Sequence, residues 1–104
     1  MVNLAVQIVR LIDEHSPGFV ECVLIDAEGV QHEFVEKGPV VSTSDLRSDS
    51  HYPQLGYIGC VIEDEWVDEL GRKLVRVSTI KPWSIESVTG ASAFTVFKKQ
   101  IFPN

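Results

Sequence analysis

Two cysteines and three histidines are the residues of this chain best suited to nucleophilic chemistry. Cys22 and Cys60 each lie inside an apolar run, where a free thiol usually packs as a small hydrophobic side chain. A reactive thiolate needs a neighbouring base or cation to lower its pKa, whereas burial in an acidic protein raises it. We therefore expect both cysteines in the core and predict no catalytic residue, although His15, His32 and His51 are available as bases.

A metal site needs three or four His, Cys or carboxylate ligands that converge on one point. The sequence contains no close pair such as CxxC or HxxxH, and its best set is Cys22, His32 and Cys60, which could all point inward. The carboxylate run between Glu63 and Glu69 lacks the spacing and central glycine of a calcium loop. We predict no metal and no other cofactor, and interpret the run as a solvated, partly paired strand face.

Aromatic side chains are the best candidates for binding. Tyr52, Tyr57 and Trp83 fall near predicted loops or on an outward face, and exposed aromatic residues are typical anchors of protein interfaces and ligand grooves. Trp66, in contrast, is predicted to lie in the core. The sequence therefore predicts a contact surface made of the loop 42–57 and the region around Trp83.

Length and charge limit the classes of function. The chain has 104 residues, with 15 acidic and 9 basic side chains, and a formal charge of −6 at pH 7. This charge opposes binding to nucleic acid or to an anionic membrane surface. No signal peptide or transmembrane stretch is recognisable, so we expect a cytoplasmic protein with a single all-β domain over residues 1–104.

The elements that must position these side chains are predicted to be β-strands. Runs rich in Val, Ile and Phe alternate with turn residues, which is typical of antiparallel hairpins. Residues 4–14 also show polar residues at helical spacing, but their β-branched content and the following Pro17-Gly18 turn favour a strand. With a last strand at residues 93–98, about six strands predict a small antiparallel barrel or tight sandwich, since closure removes exposed strand edges.

Charge predicts how the first clear hairpin, residues 19–26 with residues 30–36, is paired. A two-residue loop would set Glu21 opposite Glu36, and such a like-charge pair costs stability. A three-residue loop with Gly29 in the left-handed region avoids that pair. We therefore predict the three-residue loop.

The hairpin around Leu70-Gly71 is predicted with a two-residue loop, because that pairing also matches opposite charges. The complementary pairs are Glu69 with Arg72, Asp68 with Lys73, and Glu65 with Arg76. The same pairing turns Trp66 inward on the face of Val75 and Val77.

The stretch between the two hairpins is predicted to be largely irregular. Lys37-Gly38-Pro39 ends a strand, because proline lacks the amide that a central ladder needs. Val40-Val41 is predicted to resume as a short edge strand, and an unpaired edge of that kind favours a homodimer. Residues 42–56 are predicted to form an ordered surface loop.

The hairpin segments Pro17-Gly18-Phe19-Val20-Glu21-Cys22 and His32-Glu33-Phe34-Val35-Glu36-Lys37, followed by Pro39-Val40-Val41, resemble a family of small bacterial proteins. The resemblance covers mainly the first half of the chain and consists of strand and turn residues. It implies a bacterial origin. Because no activity is known for that family, it implies no site residue.

Small size and acidic charge favour a non-enzymatic module that binds a partner protein or forms a homodimer. An immunity or antitoxin-like role is one concrete form, since an acidic protein can neutralise a basic partner. The alternative is a small-molecule-binding barrel, or a minor enzyme, with its ligand in the barrel mouth. A filled interior with exposed aromatic residues would favour the first hypothesis, and a cavity with converging titratable groups the second.

Overall fold

One antiparallel sheet contains about half of the chain. The computed structural model describes residues 1–13 and 18–103. Within them the strands are β1 (Val2–Leu11), β2 (Phe19–Ile25), β3 (Gln31–Lys37), β4 (Gln54–Val67), β5 (Lys73–Ser78), β6 (Ala93–Phe97) and β7 (Ile101–Pro103). A helical turn, α1, covers Gly38–Val41, and a 3-10 turn covers Lys98–Gln100. None of the helical segments in these residues has the length and apolarity that a membrane span requires.

The sheet curls into a half-barrel. Its strands lie in the order β3-β2-β1-β4-β5-β6, and every neighbouring pair is antiparallel. β7, which the sequence analysis did not predict, follows β6 through the 3-10 turn and pairs with the start of β1. The chain thus returns from one end of the sheet to its middle. The predicted all-β class and hairpin-built architecture are confirmed.

Alternation along the strands explains which face forms the core. Residues 4–11, predicted as a strand, belong to β1, which confirms that prediction; the Pro17 turn lies outside the described residues. In β1 and β2 every second side chain along the middle of the strand is buried, and in β3 Phe34 is the buried residue. The buried members are Leu4, Val6, Ile8, Val20, Cys22, Leu24 and Phe34. Complete burial of one large aliphatic or aromatic side chain stabilises the fold by about 1.5–3 kcal/mol.

Aromatic contacts close the half-barrel. β3 and β6 lie at opposite ends of the strand order, yet the rings of Phe34 and Phe94 meet edge to face with centroids 5.7 Å apart. The His32 ring also packs against Phe94 at 4.8 Å. The N–H of Ala27, at the tip of the first hairpin, donates to the carbonyl oxygen of Thr95 in β6 at 2.9 Å. These contacts bring the two ends of the sheet together over one core.

The loop between β2 and β3 has the three residues predicted from charge. The Asp26 N–H donates to the Val30 carbonyl oxygen at 2.9 Å, and Gly29 has a φ of 82°. Asp26 Oδ1 accepts hydrogen bonds from the N–H groups of Glu28 and Val30, each at 2.9 Å. Its other carboxylate oxygen lies 2.8 Å from His32 Nε2. The predicted pairing of this hairpin is confirmed.

The pairing predicted for the β4–β5 hairpin is wrong by one residue. Asp68 repeats the arrangement of Asp26: its N–H donates to the Arg72 carbonyl oxygen at 3.0 Å, and its Oδ1 accepts from the N–H groups of Leu70 and Arg72. Gly71, with a φ of 78°, is therefore the third loop residue. Trp66 consequently faces Leu74 instead of Val75. It is 38% exposed, which corrects the prediction that it lies in the core.

The three charge pairs predicted for this hairpin do not form. Asp68 pairs with Arg72 Nε at 2.7 Å, and Glu65 pairs with Lys98. Arg76 lies opposite Asp64 in the ladder and donates to Thr95 Oγ1. Exposed ion pairs contribute only about 0–1 kcal/mol each, so they do not determine the pairing when a loop carboxylate binds two backbone N–H groups.

The stretch between the hairpins differs from the prediction in its secondary structure at both ends. Val40 and Val41 belong to α1, so the prediction of an edge strand there, and with it the basis for a homodimer through that edge, is wrong. Pro39 occupies the first turn of α1, where a missing N–H breaks no helical hydrogen bond. β4 begins at Gln54, so the last residues of the predicted loop 42–56 are strand.

We predict that Asp26→Ala lowers the free energy of unfolding by about 2 kcal/mol, because it removes three hydrogen bonds, one of them to the half-buried His32. Urea unfolding measures the change. Glu28→Ala, an exposed substitution in the same loop, is the matched control and should change stability by less than about 0.5 kcal/mol. Equal losses in both variants would contradict the role of the Asp26 carboxylate.

The effect of Asp26 should depend on pH. Burial tends to raise its pKa, but the hydrogen bonds from His32 and from the N–H groups of Val30 and Glu28 outweigh burial and hold that pKa below its ordinary value. The ionised carboxylate therefore favours the folded state above the ordinary Asp pKa of about 3.9. The stability difference between wild type and Asp26→Ala should shrink as pH falls below that value through the lowered pKa.

Candidate binding groove

A groove of about 370 Å³ lies on the outer face of β1 and β4. It is lined by residues 39–44, which include most of α1, and by Trp83. The strands contribute Asn3, Leu55, Tyr57 and Gly59 to the lining. We call this site the Trp83 groove. It brings together two of the three predicted binding residues, Tyr57 and Trp83, with the beginning of the predicted contact loop.

Trp83 lies against a glycine of β4. A Cβ atom built on Gly59 would be 3.1 Å from both Cδ1 and Nε1 of the Trp83 indole, and 3.3 Å from Pro82 Cδ. Gly59 is buried, whereas Trp83 is 63% exposed. The absence of a side chain on the strand thus lets the indole approach the sheet while most of its surface remains in solvent.

The segment that carries Trp83 is held at its base by Thr79. This side chain is fully buried, and its hydroxyl lies 2.6 Å from the Ile85 carbonyl oxygen, to which it donates. The Ile85 N–H returns a bond to the Thr79 carbonyl oxygen at 3.0 Å, and the Ser84 N–H donates to the Ile80 carbonyl oxygen at 2.7 Å. These bonds fix the path of residues 79–85 and so the position of the indole.

Tyr57 is fixed from the opposite direction. It lies in β4 opposite Ala5, and its ring packs edge to face against Phe102 of β7 with centroids 5.6 Å apart. Phe102 and Leu55 are themselves exposed large hydrophobic residues, Leu55 by 49%. The first half of β4 therefore presents apolar side chains to the groove, unlike the polar outer face that such strands usually have.

Residues 39–44 add both apolar and hydroxyl groups. Val40 is exposed, whereas the Val41 side chain is buried in the core. A Cβ on Gly56 would lie 3.1 Å from the Val41 carbonyl oxygen, so α1 packs closely on β4. The Ser42 hydroxyl accepts a hydrogen bond from the Ser44 N–H at 3.0 Å. This local bond orders the chain where it leaves α1.

Tyr52, the third predicted binding residue, is half-buried and does not line the groove. Its side chain packs against the core, and its hydroxyl donates to the Arg47 carbonyl oxygen at 2.6 Å. The observed contacts of Tyr52 thus lie within the loop and the core.

Both cysteines lie in the core, as predicted. Cys22 and Cys60 are buried and free. Burial raises the pKa of the Cys22 thiol to about 12, with further contributions from Glu36 and Glu21, and raises that of Cys60 to about 11. His32 binds Asp26, as described above. His51 is exposed, and His15 lies outside the described residues.

Within residues 1–13 and 18–103, no three His, Cys, Asp or Glu side chains are grouped to hold a metal ion. The Trp83 groove offers chemistry of another kind. The indole of Trp83, the phenol of Tyr57 and the side chain of Leu55 provide apolar contact area, and the hydroxyls of Ser42 and Thr43 can donate or accept hydrogen bonds. Such a combination is suited to holding an apolar side chain within a polar rim.

No family model, curated protein or solved structure matches this chain. Function is therefore inferred from the geometry of the groove.

Two residues that build the groove, Gly59 and Thr79, were not predicted from the sequence. Gly59 interrupts a strand otherwise rich in β-branched and aromatic residues, which signals a close approach of other groups to the backbone. For Thr79 the sequence contains no such signal. Its hydroxyl binds the Ile85 carbonyl oxygen, a contact that exists only once residues 79–85 have folded.

We predict that both thiols react with a soluble disulfide reagent ~100-fold more slowly in the native protein at pH 8 than in urea, since burial suppresses the thiolate and blocks access. Absorbance of the released thiolate measures the rates, and the urea-unfolded chain is the control. A thiol that reacts equally fast in both states would contradict burial of that cysteine.

We predict that Gly59→Ala displaces the Trp83 indole, because the new methyl group would lie 3.1 Å from its Cδ1 and Nε1 atoms. The indole N–H signals in a ¹H-¹⁵N NMR spectrum measure this. The Trp83 signal should shift while that of Trp66, on the distant part of β4, stays in place and provides the internal control. An unchanged Trp83 signal would show that the indole does not rest on Gly59.

Proposed function

We propose that this protein is a non-enzymatic protein-binding module whose contact surface is the Trp83 groove. The observation that carries the proposal is the position of Trp83, which is held on Gly59 yet 63% exposed. Tryptophan and tyrosine dominate the energetics of protein interfaces, because they bury a large area at a small cost in conformational entropy. A partner would insert an apolar side chain between Trp83, Tyr57 and Leu55.

The filling of the half-barrel supports this proposal over the small-molecule alternative. Side chains from both ends of the sheet, including Phe34 and Phe94, are buried together in the interior. The Trp83 groove instead lies on the outer face, with exposed aromatic side chains around it. A surface of this kind is better suited to another macromolecule than to an enclosed ligand.

The formal charge of −6 supports a partner of opposite charge, as expected for an immunity or antitoxin-like protein. The two cysteines are free and buried, which is compatible with the reducing environment of the cytoplasm, the location that we propose. The alternative partner is a second copy of this chain, which would form a homodimer through the same groove.

The test is affinity capture from native extract with the wild-type chain, followed by calorimetry with the purified partner. We expect Trp83→Ala to weaken binding at least ~30-fold, the loss typical of a central tryptophan. Val88→Ala removes a similarly exposed apolar side chain outside the groove and is the matched control, which should bind like wild type.

Three results would oppose the proposal. A partner that binds wild type and Trp83→Ala equally well does not use the groove. A partner that Val88→Ala also loses is held by general hydrophobic contact. A purified chain that carries only a small molecule would support the ligand-binding alternative. Native mass spectrometry of wild type and Trp83→Ala distinguishes a second copy from a different protein.

A further inference from the structure

The second half of β4 has an edge that no strand covers in the described part of the chain. β1 pairs with residues 54–60 of β4 along one edge, and β5 pairs with residues 61–67 along the opposite edge. The edge facing β1 therefore continues past Cys60 without a partner strand among residues 1–13 and 18–103. We call residues 61–67 along this side the acidic edge.

The ladder geometry determines which backbone groups point outward there. At the loop, the Asp68 N–H donates to the Arg72 carbonyl oxygen, so the backbone groups of Asp68 point toward β5. Along an antiparallel strand, residues alternate between backbone groups that bond the partner strand and groups that point away from it. Counting back from Asp68, Val67 and Glu65 therefore direct their N–H and C=O groups away from β5. The first hairpin follows the same alternation. Counted from the Asp26–Val30 pair, the Glu33 carbonyl oxygen should point away from β2, and it does accept a hydrogen bond from the Val88 N–H.

One outward group is already bonded within the chain. The Glu65 N–H donates to Asp64 Oδ1 at 2.9 Å, so a carboxylate of the edge itself occupies that position. The carbonyl oxygen of Glu65 and both backbone groups of the exposed Val67 point away from β5, and no strand in the described part of the chain pairs with them. A backbone arriving from outside would find a donor and acceptors at the spacing of a strand ladder.

Charge decides what such a strand can be. Glu63, Asp64 and Glu65 are consecutive and exposed, and of these only Glu65 forms an ion pair within the described residues, with Lys98. A second copy paired antiparallel about Asp64 would set carboxylates opposite carboxylates, which is destabilising. A strand that carries lysine or arginine would instead place opposite charges across the ladder.

We propose that the acidic edge accepts an extended basic segment of a partner protein as an additional strand. Trp66 and Val67, 62% exposed, provide apolar contacts next to the carboxylates. A second groove of about 340 Å³ lies over β4 and β5 and is lined by Glu65, Trp66, Val67, Lys73, Leu74 and Lys98. Its two lysines place it apart from the acidic edge, which faces away from β5. The occupant is a segment in which basic and apolar residues alternate. The acidic edge is a different surface from the Trp83 groove, and strand addition there does not require that groove.

The probe is a synthetic eight-residue peptide of alternating lysine and valine, compared with its glutamate-valine counterpart by calorimetry at fixed ionic strength. We expect the lysine peptide to bind wild type at least ~tenfold more tightly than the glutamate peptide. Asp64→Lys should weaken the lysine peptide about tenfold. Glu28→Lys makes the same change of charge at the tip of the other hairpin and should have little effect.

A backbone variant tests strand addition separately from charge. Val67→Pro removes an outward N–H without breaking a bond to β5 and should weaken the peptide about fivefold, the effect of one hydrogen bond. Val35→Pro removes the corresponding outward N–H from the edge strand β3 and should leave binding unchanged. In wild type, peptide binding should slow hydrogen exchange of the Val67 amide, a readout that requires no substitution.

Several outcomes would overturn the proposal. Equal losses in Asp64→Lys and Glu28→Lys would show general electrostatic attraction, and an unaltered exchange rate at Val67 in the complex would show that no strand is added. Failure of the lysine peptide to bind wild type would also overturn the proposal. Protection of Val67 in the peptide-free protein, rising with protein concentration, would identify a second copy as the occupant.

Discussion

The contact between Phe34 and Phe94 is the interaction on which the rest of this structure depends. It joins β3 and β6, the two ends of the strand order, and it buries both rings in one core. Together with the His32–Phe94 contact and the Ala27–Thr95 hydrogen bond, it closes a sheet that would otherwise leave an apolar face exposed, which is unfavourable in water. Closure directs the inward side chains of all the long strands to a common interior. The two proposed binding surfaces consequently lie on the outer face and on an edge that closure leaves uncovered.

Both hairpin loops follow one local rule, and the rule explains why one pairing could be predicted and the other could not. Asp26 and Asp68 each stand three residues before a glycine with positive φ, and each carboxylate accepts two backbone N–H bonds from its own loop. For the first hairpin, repulsion between strand carboxylates happened to favour the same pairing. For the second, attraction between strand charges favoured a pairing one residue away. Bonds within the loop are local and partly shielded, so they outweigh exposed ion pairs. A pairing shifted by one residue reverses the face of every side chain relative to the partner strand, so the predicted pairing set Trp66 on the wrong face.

The candidate groove was predictable in its residue types but not in its assembly. Tyr57 and Trp83 were recognisable as candidate surface aromatics because they lie beside turn residues. Their meeting depends on Gly59, which admits the indole, and on the backbone bonds that direct residues 79–85 back over β4. Contacts of this type link residues distant in sequence through three-dimensional shape, for which a single sequence contains no pattern. The helical turn at Val40 and Val41 was missed for a related reason, since β-branched residues favour a strand until packing against β4 decides otherwise.

β4 connects the two proposed surfaces, because its halves are covered on opposite edges. Its first half is paired with β1 and presents an apolar outer face to the Trp83 groove; its second half is paired with β5 and leaves the acidic edge open. The pairing shifts between Ile62 and Asp64, a bulge at the junction of the halves. Bulges increase local twist and re-aim the strand that follows, so the two surfaces face different directions. Edge strands are commonly protected from self-association by charge and by bulges, and this edge has both. The protecting charges, Glu63, Asp64 and Glu65, are all negative. These carboxylates repel the same edge of a second copy but are complementary to a basic strand.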